Sequence, residues 1–155
     1  MKLAEALAER GDLTRRVEHL KSRILTNARH QEGESPAEDA AALLVELEEV
    51  LDRLEILVRR INRTNTAAPL GDASITDALA RRDMLRIRHR VVSAAADAAS
   101  GREQDRYGRQ LRSELVFVAA LPVRDLRRTA DDLARQIREV DLQVQKENWE
   151  VELLD

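Results

Sequence analysis

Leu126-Arg-Arg-Thr-Ala130-Asp-Asp-Leu133-Ala-Arg-Gln-Ile137-Arg-Glu-Val140-Asp-Leu-Gln-Val144 carries an apolar residue at every third or fourth position without a break. That spacing lays Leu126, Leu133, Ile137, Val140 and Val144, with Ala130 between them, along one side of an α-helix. The charged residues fall on the other sides. The segment predicts a helix over about Val123 to Asn148 with this set as its core stripe, opened by Pro122.

Three further segments repeat the pattern. The first spans about Lys2 to Ile24, with the stripe Leu3, Ala6, Arg10, Leu13, Val17, Leu20 and Ile24. Arg10 falls on the stripe, so its charge must snorkel to solvent or find a facing carboxylate. The second starts at Ser35-Pro36-Ala37-Glu38, where serine suits the cap, proline the first helical position and glutamate the reach back. It runs to about Arg63 on Leu43, Leu47, Val50, Leu54, Leu57 and Ile61, widened by Leu44, Leu51 and Val58. After a loop with Pro69 and Gly71, Ser74-Ile75-Thr76-Asp77 opens the third, about Ile75 to Ser100. There Leu79, Met84, Leu85, Ile87, Val91 and Val92 are expected to face inward.

Between the third and fourth segments, Leu115-Val-Phe-Val-Ala119 is β-branched and aromatic and has the character of a strand. A strand needs a partner, and residues 25–32 or the same strand of another copy are the candidates. A helical or irregular 115–121 remains the alternative. The expected fold is mainly α: one domain over residues 1–155, an antiparallel bundle of four long helices, with a short hairpin or strand pair near 25–32 and 113–120.

Composition agrees with that class. Of 155 residues 35% are charged and only 2% aromatic, so Leu, Val, Ile and Ala must build the core. Cysteine is absent, which excludes disulfides and thiolate metal sites and suits a reducing cytosol. The longest apolar runs, Ala40 to Val45 and Leu115 to Leu121, are too short to span a bilayer. The opening Met1-Lys2-Leu3-Ala4-Glu5 carries acid early and has no signal-peptide core. A cytoplasmic protein without membrane contact is expected.

The net charge of −3 is unevenly spread. Residues 32–58 hold nine acids and one base; residues 75–112 hold nine arginines and five acids. The acidic second helix and the basic third are expected either to pair, within a chain or between chains, or to be solvated faces. Arg81, Arg82, Arg86, Arg88 and Arg90 form a candidate basic face for phosphates. No stacking aromatic accompanies them, and Asp77 and Asp83 dilute the field, so nucleic acid is the disfavoured partner.

Reactive constellations are missing. His19, His30 and His89 stand at no ligand spacing, and Glu46, Glu49 and Glu55 lack the Glu-x-x-His element of di-iron bundles. No nucleophile elbow, phosphate loop or dinucleotide fingerprint occurs. No catalytic residue, metal or cofactor is expected, and the protein reads as a non-enzyme. One polar cluster stands out: Asn62, Arg63 and Asn65 beside a helix C-terminus. There they either cap the helix or form a recognition patch with Arg29, Gln31 and Tyr107. Asn148-Trp149 is expected to pack its indole over the bundle end.

The opening Met1-Lys-Leu-Ala-Glu-Ala-Leu7, the loop Asn27-Ala-Arg-His-Gln-Glu-Gly33 and Pro36-Ala-Glu-Asp39 are further marks, as are Ile61-Asn-Arg-Thr-Asn65, Arg106-Tyr107 and Asn148-Trp149. With them the chain resembles, over essentially its whole length, a family of small bacterial proteins of unknown function, some of which carry the name septicolysin. The resemblance implies a shared helical fold and brings no catalytic residue. That name implies a pore-forming cytolysin, for which the chain offers no apolar segment or secretion signal. The function expected from the residues is a structural or interaction protein that presents helical surfaces to copies of itself, as a dimer or higher oligomer, or to another protein. A nucleic-acid-associated protein is the alternative.

Overall fold

The structure, a computed structural model, describes residues 1–101 and 116–155. It is mainly α: α1 (Leu3–Asn27), α2 (Ala40–Ala67), a minimal hairpin of β1 (Pro69–Leu70) and β2 (Ala73–Ser74), α3 (Ile75–Ala99) and α4 (Val123–Glu150). The chain forms two compact units. One holds Met1–Ile75 with Gln145–Asp155, the other Thr76–Val144.

In the first unit α1 and α2 form an antiparallel pair. Glu9, Arg16 and Arg23, seven residues apart on α1, meet Arg53, Glu46 and Glu38 in descending order. Between these ion pairs the core is aliphatic, with Leu3, Ala6, Leu20, Leu43, Leu57 and Ile61 buried. Arg10 is exposed, so the charge on the α1 stripe does reach solvent.

The turn between the two helices explains where α2 begins. Asn27 is buried; its amide donates to the Arg23 carbonyl (2.9 Å) and its Oδ1 accepts the Glu38 N–H (3.0 Å). Glu38 is thus held by Asn27 and Arg23 rather than reaching back to Ser35. The cap falls to Asp39, whose Oδ1 accepts from Ala41 N (2.9 Å) and Ala42 N (3.3 Å). The helix starts a turn later than the Ser35-Pro36 signal suggests.

The strand pair exists but not at 25–32 and 113–120. Leu25, Thr26 and Asn27 complete α1, where the Thr26 hydroxyl bonds back to the Ser22 carbonyl (3.0 Å). Val116, Phe117 and Val118 are exposed and carry no ladder, and 113–115 lie outside the described residues. β-Branched character favours a strand only where a partner edge is in reach, and 25–32 offers none. The observed strands pair Pro69 with Ser74 and Leu70 with Ala73 across Gly71-Asp72. Gly71 has φ +63°, the backbone that a tight two-residue turn with glycine first requires. The Ile75 N–H donates to the Ala68 carbonyl (3.1 Å) and closes the hairpin base.

In the second unit α3 and α4 are tied antiparallel. Arg82 and Arg86 reach Asp141 (3.6 and 3.2 Å), and Arg127 reaches Asp97 (2.6 Å). The α4 stripe is as read from sequence: Ala130, Leu133, Val140 and Val144 are buried, Leu126 and Ile137 half-buried. For α3 the reading needs correction. Leu85 is buried and Leu79 and Val92 half-buried, but Met84, Ile87 and Val91 are 51%, 43% and 63% exposed. The inward line is Leu79, Arg82, Leu85, His89, Val92 and Ala96, in which the stems of Arg82 and His89 stand in for aliphatic residues. Apolar residues on two sides of one helix look like a single stripe in the sequence.

Leu133→Asp should lower stability by about 3 kcal/mol or more, because it buries an unpaired charge. Leu142→Asp, on the same helix but 66% exposed, should change it by no more than about 0.5 kcal/mol. Circular-dichroism melts of the two variants check this; equal losses would refute the assigned stripe.

Candidate functional site

The Asn62-Arg63-Thr64-Asn65 element closes α2 in the first unit, and its work centres on Thr64, a residue the sequence reading passed over. Thr64 is fully buried. Its hydroxyl donates to the Arg60 carbonyl (2.8 Å) and accepts the Leu154 N–H (3.0 Å). Arg60 adds Nε to the Leu154 carbonyl (2.9 Å) and Nη2 to Asp155 Oδ1 (2.8 Å), and Arg63 Nη1 reaches the Asp155 main-chain oxygen (3.0 Å). The tail Val151–Asp155 is thereby fixed to the last turns of α2. Its other edge meets the start of α1: Leu3 N–H to the Val151 carbonyl and Leu153 N–H to the Met1 carbonyl, both 2.9 Å. Only the alternation around Leu153 hinted at this short extended segment.

The recognition patch does not assemble. Arg29 and Gln31 are exposed in the connection from α1 to α2, while Asn62, Arg63 and Asn65 sit at the C-terminus of α2. In an antiparallel pair the end of α1 adjoins the start of α2, so the two halves lie apart by the length of a 28-residue helix, about 40 Å. Tyr107 lies outside the described residues. Asn62 is exposed and its carbonyl accepts the Thr66 hydroxyl (2.9 Å). The element therefore clamps the tail, while the cap itself is the backbone bond from Ala68 N–H to the Thr64 carbonyl. Trp149 is 67% exposed and does not pack over an end as expected.

The five arginines of α3 divide in two. Arg82 and Arg86 are engaged with Asp141, and Arg82 also with Asp83 (3.2 Å). Arg81, Arg88 and Arg90 have no ion-pair partner among the described residues. Asp83, Arg86, Ile87, His89, Arg90 and Ile137 line a shallow groove of about 440 Å³ in the second unit. Among the described residues no three His, Asp or Glu side chains come together as a metal site would need.

What the structure does expose is apolar surface on helices. Met84, Ile87 and Val91 on α3 share one side with Ala80, Ala94 and Ala98. On α2, Leu44, Val45, Leu51 and Ile56 are exposed among Glu48, Glu49, Asp52 and Glu55.

Two carboxylates in the first unit contribute to its response to acid. The Arg23 guanidinium bonds to Glu38 and holds that carboxyl below the usual carboxylate range. Lys2 Nζ (2.7 Å) and then the Met1 amino group (3.1 Å) do the same for Glu152. A depressed folded pKa gives stability that is complete above the ordinary carboxylate value and is lost as pH falls through the folded value. Melting temperature should accordingly fall over that acid window, and Glu38→Gln/Glu152→Gln should flatten the fall; an unchanged slope would contradict the assignment. Thr64→Val should cost about 1–3 kcal/mol, because the Leu154 N–H loses its acceptor. Amide exchange over 151–155 should quicken; protection equal to wild type would show that the clamp does not depend on Thr64.

Comparison with known proteins gives kinship without an activity. No curated protein matches the chain. A crystal structure of a functionally unknown conserved protein from Corynebacterium diphtheriae is similar, with 42% identity, 99% of each chain covered and a TM-score of 0.91. Residues 10–153 match a family of unknown function, DUF6847, and the chain belongs to that family.

Proposed function

We propose that the protein is a non-enzymatic interaction module of the cytoplasm that uses exposed helical faces to bind protein, copies of itself first. The observation that carries this reading is the exposed side of α3, where Met84, Ile87 and Val91 follow one another at helical spacing in contact with solvent. Contiguous exposed apolar surface of this kind marks interaction sites. The exposed leucines, valine and isoleucine of α2 extend the supply. The lack of cysteine suits a reducing compartment.

A second reading draws on Arg81, Arg88 and Arg90, which are exposed and without ion-pair partners among the described residues. They would let α3 lie against phosphates. Retention on nucleic acid that falls steeply between about 50 and about 200 mM salt would favour it; indifference to salt would remove it. The remoter cytolysin reading, implied only by the resemblance to proteins that carry the name septicolysin, would need a segment that enters a bilayer. No described helix is long and apolar enough to cross one.

Ile87→Asp/Val91→Asp tests the leading reading. Both positions are exposed, so the melt should stay within about 0.5 kcal/mol of wild type. The expected result is loss of association, seen as a lower mass by light scattering or as loss of co-purifying protein. Unchanged mass and unchanged partners would contradict the proposal.

A further inference from the structure

On the exposed side of α3, Ala80, Met84, Ile87, Val91, Ala94 and Ala98 follow one another in steps of alternately four and three residues. This is the seam pattern of a helix that packs lengthwise against another, and at 1.5 Å per residue it runs for about 27 Å. It differs from the inward line through Leu85 and Ala96, so α3 has a complete second seam. Arg81, Arg88 and Arg90 border it and have no ion-pair partner among the described residues.

The opposite chemistry lies on α2. Its outer side exposes Leu44, Val45, Leu51 and Ile56, and the acids between them, Glu48, Glu49 and Asp52, likewise have no ion-pair partner among the described residues. Three free cations bordering an apolar seam on one helix match three free anions among apolar residues on another. Complementarity of this kind fixes the partner and the register more than it adds raw affinity.

We infer that these two faces are the halves of one interface between copies of the chain, in which α3 of one copy docks along the outer face of α2 of a second. The inference rests on the reading that the exposed helical faces bind protein, and it names the partner and the surface.

Pairing of α3 with itself is less favourable. The antiparallel register that sets Ile87 against Val91 of the other copy also sets Arg88 near Arg88, Arg90 near Arg90 and Asp83 near Asp97. Like charges facing each other across a helical seam oppose association. A parallel pair would bring Asp83 to Arg88, but Asp83 is already held by Arg82 (3.2 Å). It would also leave the acids of α2 unmatched.

Charge exchange tests the inference on the full chain. One variant reverses α3 (Arg81→Glu/Arg88→Glu/Arg90→Glu) and the other reverses α2 (Glu48→Lys/Glu49→Lys/Asp52→Lys). Sedimentation should show the wild type at no less than twice the monomer mass, each variant alone as a monomer, and their equimolar mixture associated again. A monomeric wild type at high micromolar concentration, an α2 variant that associates like wild type, or a mixture that stays monomeric each overturns the inference. The broader reading fails separately, when Ile87→Asp/Val91→Asp changes neither mass nor partners. Should a triple variant lose its helical signal, Arg88→Glu and Asp52→Arg replace them. Each should weaken association several-fold and the mixture should recover it; no shift in either would overturn the inference.

Discussion

An α-helix buries only what its neighbours cover, and in this chain the neighbours are narrow. With 2% aromatic residues, the core rests on aliphatic side chains, and each helix presents a line of them to the next, interrupted on α3 by the stems of Arg82 and His89. The α4 stripe does this through Ala130, Leu133, Val140 and Val144. α1 and α2 do it through Leu3, Leu20, Leu43, Leu57 and Ile61. Helices that carry a second apolar line leave Met84, Ile87 and Val91 of α3 and Leu44, Val45, Leu51 and Ile56 of α2 exposed among the described residues. That surplus on α3 and α2 is the surface left for binding.

Charge acts on this framework as a register mark more than as a source of energy. Exposed ion pairs contribute little individually, but those of the α1–α2 pair recur each heptad of α1 and admit a single antiparallel alignment. Asp141 and Asp97 do the same between α3 and α4. The tail clamp is of another kind. Thr64 is buried and bonded on both sides, so it ties the last residues of the chain to the end of α2 and, through Val151 and Leu153, to the start of α1.

Periodicity made the four helices legible, because a stripe that repeats over twenty residues has no other economical explanation. It could not separate two stripes on α3, since Met84 and Leu85 are neighbours in sequence and face different ways. Ser35 and Asp39 are both good caps; the bond that the Glu38 N–H donates to Asn27 and those that the Glu38 carboxylate accepts from Arg23 decide between them. The Val116–Val118 run has strand propensity but no edge to join among the described residues, and a propensity without a partner does not make a sheet. The Asn-Arg-Thr-Asn element was visible as something unusual. Its partner, the tail, lies some ninety residues away, and a pairing of that separation leaves no local pattern. The split of the α3 arginines into engaged and free was equally hidden, because Asp141 that engages two of them is distant in sequence.

In the proposed assembly the second seam of α3 is occupied by the acidic face of another copy. A photo-reactive aromatic residue at position 84, on the seam itself, in a mixture of isotopically light and heavy chains tests this occupancy. Cross-links that join light to heavy and map to residues 44–56 are the predicted result. Cross-links confined to single chains, or mapping to α3 itself, would show that the seam is not used in this way.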